Sequence, residues 1–261
     1  MGVELGIILA FVAMLCWGFG DFLIQKSTRK FGDWETLFII TLFGAIVLLP
    51  FVYKDIPEVF SSHDKSFIIL LFASVILLFA ALLDFEALKK GKLAVVEPLW
   101  SLEIPVSILL AFFIIKEFPN LYQISLIVCL VTGLFLVSLR SYRLDRKVWL
   151  ERGTILALLA AIVMGSANFF VGMGSRATDP LMMNWFLNIF IALASFFYLS
   201  YNKKLSKLFR DVKSNKSFLL GMSVLDNGAW IAFAFSMLLI PIAIAVALSE
   251  SYIIIAVLLG M

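Results

Sequence analysis

Long unbroken runs of apolar residues alternate with short polar clusters along the whole chain. Nine of these runs come close to the roughly 20 residues that cross a bilayer as a helix. They cover 4–24, 35–53, 67–88, 93–115, 122–140, 153–175, 181–201, 217–238 and 241–261. Backbone inside lipid must satisfy its own hydrogen bonds, and runs of this length do so as helices. No stretch has the short apolar–polar alternation of a barrel strand. The pattern therefore predicts an all-α integral membrane protein with about nine transmembrane helices. The first run reads as a span and not as a cleavable signal, because Met1-Gly2-Val3-Glu4 offers no basic region ahead of it.

The runs also repeat. Trp17-Gly18-Phe19-Gly20-Asp21-Phe22 in the first run lines up with Met164-Gly165-Ser166-Ala167-Asn168-Phe169 in the sixth. Ala94-Val95-Val96-Glu97-Pro98-Leu99 in the fourth lines up with Ala247-Leu248-Ser249-Glu250-Ser251-Tyr252 in the ninth. This divides the chain into residues 1–141, with five helices, and 150–261, with four. Five helices are an odd number, so the second copy enters the membrane upside down. Inverted repeats of this kind place a solute site near the membrane midplane, between the halves. The second copy is incomplete, and the pattern predicts a tenth helix beyond Met261, with a nine-helix chain as the alternative.

Composition narrows the class further. Only 15% of the residues are charged, against about 25% in water-soluble chains, so most of this surface must face lipid. The net charge of +3 is dispersed over several loops and gives no footprint for nucleic acid. Its distribution, however, carries orientation. The loops after helices one, three, five and seven hold 17 Lys and Arg, and the N-terminus with the remaining loops holds 4. Basic loops stay in the cytoplasm, which predicts an N-terminus outside and points to a plasma (inner) membrane of a prokaryote. Cys16 and Cys129 both lie inside apolar runs and suggest neither a disulfide nor a metal site. His63, the lone histidine, sits in a polar loop.

Three stretches, taken in order and spacing, resemble a known family. They are Cys16-Trp17-Gly18-Phe19-Gly20-Asp21-Phe22, then Ala87-Leu88-Lys89 followed by the Glu97-Pro98 helix, then Lys116-Glu117 with Gln123 and Gly133. The chain resembles the drug/metabolite transporter superfamily, in its EamA-like ten-helix branch. The resemblance implies a secondary transporter that alternates access to a central cavity, often exporting amino acids, metabolites or drugs. Many such proteins keep the N-terminus in the cytoplasm, whereas the charge distribution here places it outside.

The residues support transport on their own chemistry. Asp21, Asp84, Glu97, Glu103, Asp226 and Glu250 fall within the apolar runs, and no Lys or Arg lies at similar depth. A charge at a helix centre costs about 2.5–3.5 kcal/mol on insertion scales, and such groups are usually functional. Desolvation disfavours an ionised carboxylate, so these acids are candidates to carry protons or bind cations. Glu250 and Glu97 occupy matching places in the two halves and form the leading pair. Pro98 removes a backbone donor beside Glu97 and marks a helix kink. Glu103 points about 120° away from Glu97 on an ideal helix and is read as a packing residue. Asp84 is assigned to the solvated boundary of helix three, beside a Glu86–Lys90 pair.

Aromatic and amide groups complete the expected site. Trp17 and Asp21 share a helix face, and Asp226 with Trp230 repeats that spacing. Gly18 and Gly20 leave room for a neighbouring helix. Indole faces attract cations, so an acid–indole wall suits a cationic or amphipathic solute. Asn168, Asn184 and Asn188 either bind the solute or join helices.

The sequence thus predicts a transporter that moves a small polar or cationic metabolite or drug by alternating access. Export coupled to protons or to a substrate gradient is the favoured mode. The competing reading is a carrier or flippase of a lipid-linked or amphipathic molecule, which would need basic groups for a head phosphate. An embedded enzyme would need a nucleophile–base pair, a metal cluster or a phosphate cradle, and none of these patterns occurs. No cofactor is called for. The expected partners are a small-molecule solute and the lipid bilayer, and the sequence leaves room for a homodimer.

Overall fold

The computed structural model describes residues 2–62, 65–91, 96, 99–141 and 152–255. Glu97, Pro98 and His63 lie outside the described residues. The described residues form eleven α-helices. These are α1 (Gly2–Lys30), α2 (Asp33–Val52), α3 (Ile56–Ser62), α4 (Lys65–Lys90), α5 (Glu103–Ile114), α6 (Leu121–Ser141), α7 (Arg152–Ala177), α8 (Pro180–Tyr201), α9 (Leu205–Ser214), α10 (Lys216–Leu239) and α11 (Ile242–Ser249). A 3₁₀ turn, Glu250–Tyr252, follows α11. Six of the helices, α1, α2, α4, α7, α8 and α10, are long and apolar enough to cross a membrane.

The remaining three expected spans are met by shorter apolar stretches among the described residues. The span 93–115 is corrected most: Val96, Leu99 and Trp100 are helical, and a turn at Ser101–Leu102 separates them from α5, which starts at Glu103. Pro105 explains the interruption. A proline fits the first turn of a helix, where no backbone donor is needed, and obstructs one that would run through from upstream. The basic stretch 202–216 is also more than a loop, since it contains α9. There Leu208 is buried, while Lys207, Arg210 and Lys213 are exposed.

Local chemistry sets the ends of several long helices. α1 continues past its apolar run because the polar residues that follow find partners. Gln25 Nε2 donates to the Leu88 carbonyl at 3.2 Å, and the Ser27 and Thr36 hydroxyls meet at 2.9 Å. Gly32 then turns the chain into α2 with φ of 117°, a conformation that L side chains rarely adopt. α8 starts at an N-cap: Asp179 Oδ1 accepts from the Leu181 N–H at 2.7 Å and the Met182 N–H at 3.3 Å, with Pro180 just inside.

The helices sort their faces as lipid requires. Ile8, Phe11, Leu15 and Phe19 make an exposed apolar stripe along α1. Inside, small residues bring helices close. Ala73, Ala80 and Ala87 of α4 and Ala157, Ala161 and Ala167 of α7 are all buried, and α4 lies along α7. α1 lies along α10 in the same way, and α2 along α8.

The two ends of the bundle differ in charge. Gly6, near the start of α1, lies against Ile240, and Arg29, near its finish, reaches the end of α4. The intervening turns span about 35 Å. At the Arg29 end, Lys30 donates to Asn215 Oδ1 at 2.7 Å, Lys89 pairs with Asp33 at 3.2 Å, and Lys204 pairs with Glu35 at 3.2 Å. Gly153 abuts Gly91 there too. Among the described residues, basic side chains that follow the first, third and seventh expected spans therefore meet at one end.

Candidate functional site

A cavity of about 100 Å³ lies between α1, α2, α4, α5, α7, α8, α10 and the 3₁₀ turn. Five acids line it: Asp21, Asp84, Glu103, Asp226 and Glu250. Among its lining residues there is no Lys, Arg or His. Trp17, Trp230, Asn168 and Asn188 line it as well. The cavity thus brings together the expected site residues, save Glu97 and Pro98, which lie outside the described residues.

Helix contacts explain how the acids converge. Gly165 of α7 has no side chain, and a Cβ there would stand 2.7 Å from the Glu103 carbonyl oxygen. Ser107 Oγ of α5 donates to the Gly165 carbonyl at 2.6 Å. Together they press the start of α5 against α7, one turn from Asn168. The Asn168 Nδ2 amide then donates to Glu103 Oε2 at 3.0 Å and to Glu250 Oε1 at 3.3 Å. One amide with two hydrogens thereby holds two glutamates from separate elements.

Gly18 does the corresponding work on the other side. A Cβ at Gly18 would lie 2.8 Å from Ile255 Cβ, so the segment after the 3₁₀ turn can settle on α1. The Tyr252 hydroxyl reaches the Asp21 carboxylate. Its ring joins an aromatic wall with Trp17 at 5.9 Å between centroids. Trp17 also meets Trp230 at 5.2 Å and Phe233 at 5.1 Å, both edge to face.

Hydrogen bonding leaves this cavity incompletely satisfied. Asp84 Oδ1, Glu250 Oε2 and Trp100 Nε1 are buried without a hydrogen-bond partner among the described residues. Buried polar groups are nearly always bonded, so such atoms call for a ligand, a proton or water. The five acids line one cavity, so any of them left ionised together would repel.

Two sequence assignments are corrected here. Asp84 is buried in the cavity, and only Glu86, Lys89 and Lys90 belong to the solvated boundary. Glu86 pairs with Lys90 as expected. The distinguishing signal is the face: Asp84, Ala87, Leu88 and Gly91 recur at helical spacing and are all buried. Glu103, read as a packing residue, instead faces the cavity and bonds Asn168. An ideal helix running on from Glu97 would point Glu103 elsewhere, and the turn at Ser101–Leu102 interrupts that helix. Trp100 and Tyr252 were not singled out, since an isolated aromatic in an apolar run carries no distinguishing pattern.

The amides divide by geometry. Asn188 Nδ2 donates to Asn227 Oδ1 at 3.0 Å, and Asn227 Nδ2 donates to the Ile40 carbonyl at 3.1 Å. Asn184 Nδ2 donates to the Pro180 carbonyl at 2.8 Å and the Trp230 carbonyl at 3.4 Å. These donors join α2, α8 and α10. Glu117 accepts from Arg176 at 3.3 Å and from the Ile242 N–H at 3.2 Å, outside the cavity.

Comparison with known proteins agrees with this architecture. The chain is 26% identical to the uncharacterized protein MJ1333.1 of Methanocaldococcus jannaschii over 137 residues, which are 52% of this chain and 98% of that one. Residues 4–139, more than half of the chain, match the EamA-like transporter family. An all-helical, multi-pass integral membrane protein that transports small molecules, the chain belongs to the EamA-like transporter family.

Proposed function

We propose that this transporter moves a small polar or cationic solute by alternating access, as an exporter coupled to protons or to the solute's own gradient. The observation that carries this reading is the cavity lined by five acids and no base. Ionised carboxylates packed together without water are costly, and an opposite charge or a proton must balance them. A cationic solute entering beside Trp17 and Trp230 would supply that balance, and protons would restore it on the return. Glu250 and Glu97 are the proposed proton or cation carriers, with Asp84 and Glu103 added to that group. Asp21, Asp226, Trp17 and Trp230 form the proposed lining, Asn168 orients the glutamates, and Asn188 serves to join helices. A lipid-linked cargo is disfavoured, because a cavity lined by five acids and no base offers a head phosphate no partner.

Two inverted repeats, 1–141 and 150–261, are part of the proposal. The helix pairing supports them: α1 with α10, α4 with α7 and α2 with α8 are exchanged or kept when first, second and third helices of the halves are swapped. Gly18 against Ile255 and Gly165 against Glu103 follow the same exchange. The family match over 4–139 fits the first half. The collection of basic loops at one end supports an N-terminus outside. A membrane-impermeant thiol reagent applied to intact cells should label Val3→Cys in a C16S/C129S background; absence of labelling overturns the orientation.

The transport reading is tested by metabolite release from cells expressing the protein, wild type beside Glu250→Gln. Release of a defined polar or cationic metabolite that the substitution abolishes is the expected result. Release untouched by the substitution removes Glu250 from the mechanism.

A further inference from the structure

Outside the cavity, two arginines make the same unusual contact at opposite ends of the bundle. Arg29 sits at the last turn of α1, and its Nη2 donates to the Leu88 carbonyl at 3.3 Å and the Gly91 carbonyl at 2.6 Å. Arg176 sits at the last turn of α7. Its Nε donates to the Met237 carbonyl at 2.8 Å and its Nη2 to the Ile240 carbonyl at 3.0 Å. In each case the acceptors are three residues apart and lie where a helix finishes, α4 in one case and α10 in the other. Arg29 stands eight residues after Asp21, and Arg176 eight after Asn168, the two positions that the sequence aligns.

The physical basis is common to both. The last carbonyls of a helix lack intrahelical partners, and a guanidinium there satisfies them while favouring the negative end of the helix dipole. Its donors sit in a fixed planar fork, so the contact fixes the relative placement of two helices more tightly than a lysine could. Neither arginine needs this geometry to stay solvated, because each lies at an end of the bundle and could reach water.

Each contact lies towards one end of the cavity. Ile24 and Leu88 line the cavity on the Arg29 side, and separating the ends of α1 and α4 would open it there. On the opposite side, Leu187 of α8 lines the cavity. Beyond it Gly172 abuts Ile242 and Met237, next to the Arg176 contact. Glu117 ties that contact to the start of α11 by accepting from both Arg176 and the Ile242 N–H. Both arginine contacts are formed together, and the cavity is correspondingly small.

We infer that Arg29 and Arg176 are a matched pair of gate-positioning residues, each closing one end of the transport pathway by clamping the end of the third long helix in its own half. During transport the two clamps release in turn, never together. Neither arginine touches the solute; each acts through the helix end that it holds. The inference rests on the alternating-access reading above, but it can be tested without any solute.

The test uses full-length protein purified in detergent, with native cysteines replaced and one reporter at a time, Ile24→Cys or Leu187→Cys. Labelling rates with a small polar thiol reagent are compared for the parent, Arg29→Gln and Arg176→Gln. Arg29→Gln should raise labelling at position 24 at least about fivefold and lower it at 187, as a shift of about 1 kcal/mol between two states would do. Arg176→Gln should do the reverse. Combining both should bring the two rates back towards each other. Labelling that rises at both reporters, or at neither, overturns the inference, since a merely structural arginine would loosen the whole fold. Should a glutamine variant fail to fold, the lysine variant replaces it, with smaller shifts of the same sign expected. Opposite shifts with no release of any metabolite would uphold the clamps and reject the assigned solute class.

Discussion

Two buried polar clusters lie side by side in the bundle and are built on opposite rules. In the knot between α2, α8 and α10, the Asn188 and Asn227 amides bond to one another, and Asn227 continues to the Ile40 and Ser223 carbonyls. Gly44 leaves the space for them: a Cβ there would collide with Asn227 Oδ1 and the Asn188 amide. In the acid-lined cavity, Asp84, Glu250 and Trp100 each keep a buried atom without a partner. Inside a membrane a satisfied polar cluster joins helices. One left unsatisfied costs stability, and it persists where something else is to be bound. The contrast is between amides that are paired and acids that are not, since Ser223 Oγ beside the knot also lacks a partner among the described residues.

That contrast can be broken experimentally. Gly44→Val drives a side chain into the amide knot and should have the largest effect on stability. A cost of about 3 kcal/mol is expected for such overpacking, read as a lower melting temperature in detergent, with release falling only as folded protein falls. Normal stability would mean that the knot is not needed to hold α2, α8 and α10 together. Asn168→Ala acts within the acid-lined cavity, where this one amide bonds both Glu103 and Glu250. It should cost roughly 2 kcal/mol, the range for hydrogen bonds to charged groups, and should lower release per folded molecule as well. Glu250→Gln should have the smallest effect on stability, under about 1 kcal/mol, because Gln keeps an acceptor for Asn168. Its expected loss of release with an unchanged melting temperature is the sharpest form of the comparison. A marked loss of stability would instead place Glu250 among the helix-joining groups.

Much of this was legible in the sequence, for identifiable reasons. The long spans are visible because crossing a bilayer demands a run of apolar residues whatever surrounds it. Asp21, Asp226 and Glu250 stand out because an acid inside such a run has few structural excuses. Asp84 did not, because it lies only two residues from Glu86, and only the helical face separates the buried acid from the solvated one. Glu103 was hidden by the assumption of a continuous helix, although Pro105 marks the break. α9 was concealed by its charge: a short helix with Leu208 as its one fully buried side chain offers little apolar signal. The arginine contacts depend on carbonyls at helix ends, and no residue type announces a carbonyl in need of a partner.

The 3₁₀ turn that carries Glu250 has a mechanical consequence. Three residues of 3₁₀ helix advance a full revolution and about 6 Å, while three α-helical residues advance about 300° and 4.5 Å. Relaxing this single turn to α geometry would therefore swing everything beyond Tyr252 by about 60° and draw it in by about 1.5 Å. Gly18 presents a bare patch of α1 to Ile255 just past that turn, a smooth bearing with no side chain to obstruct the rotation. The winding of these three residues thus sets the angle at which the segment carrying Ile255 leaves α11 and meets α1.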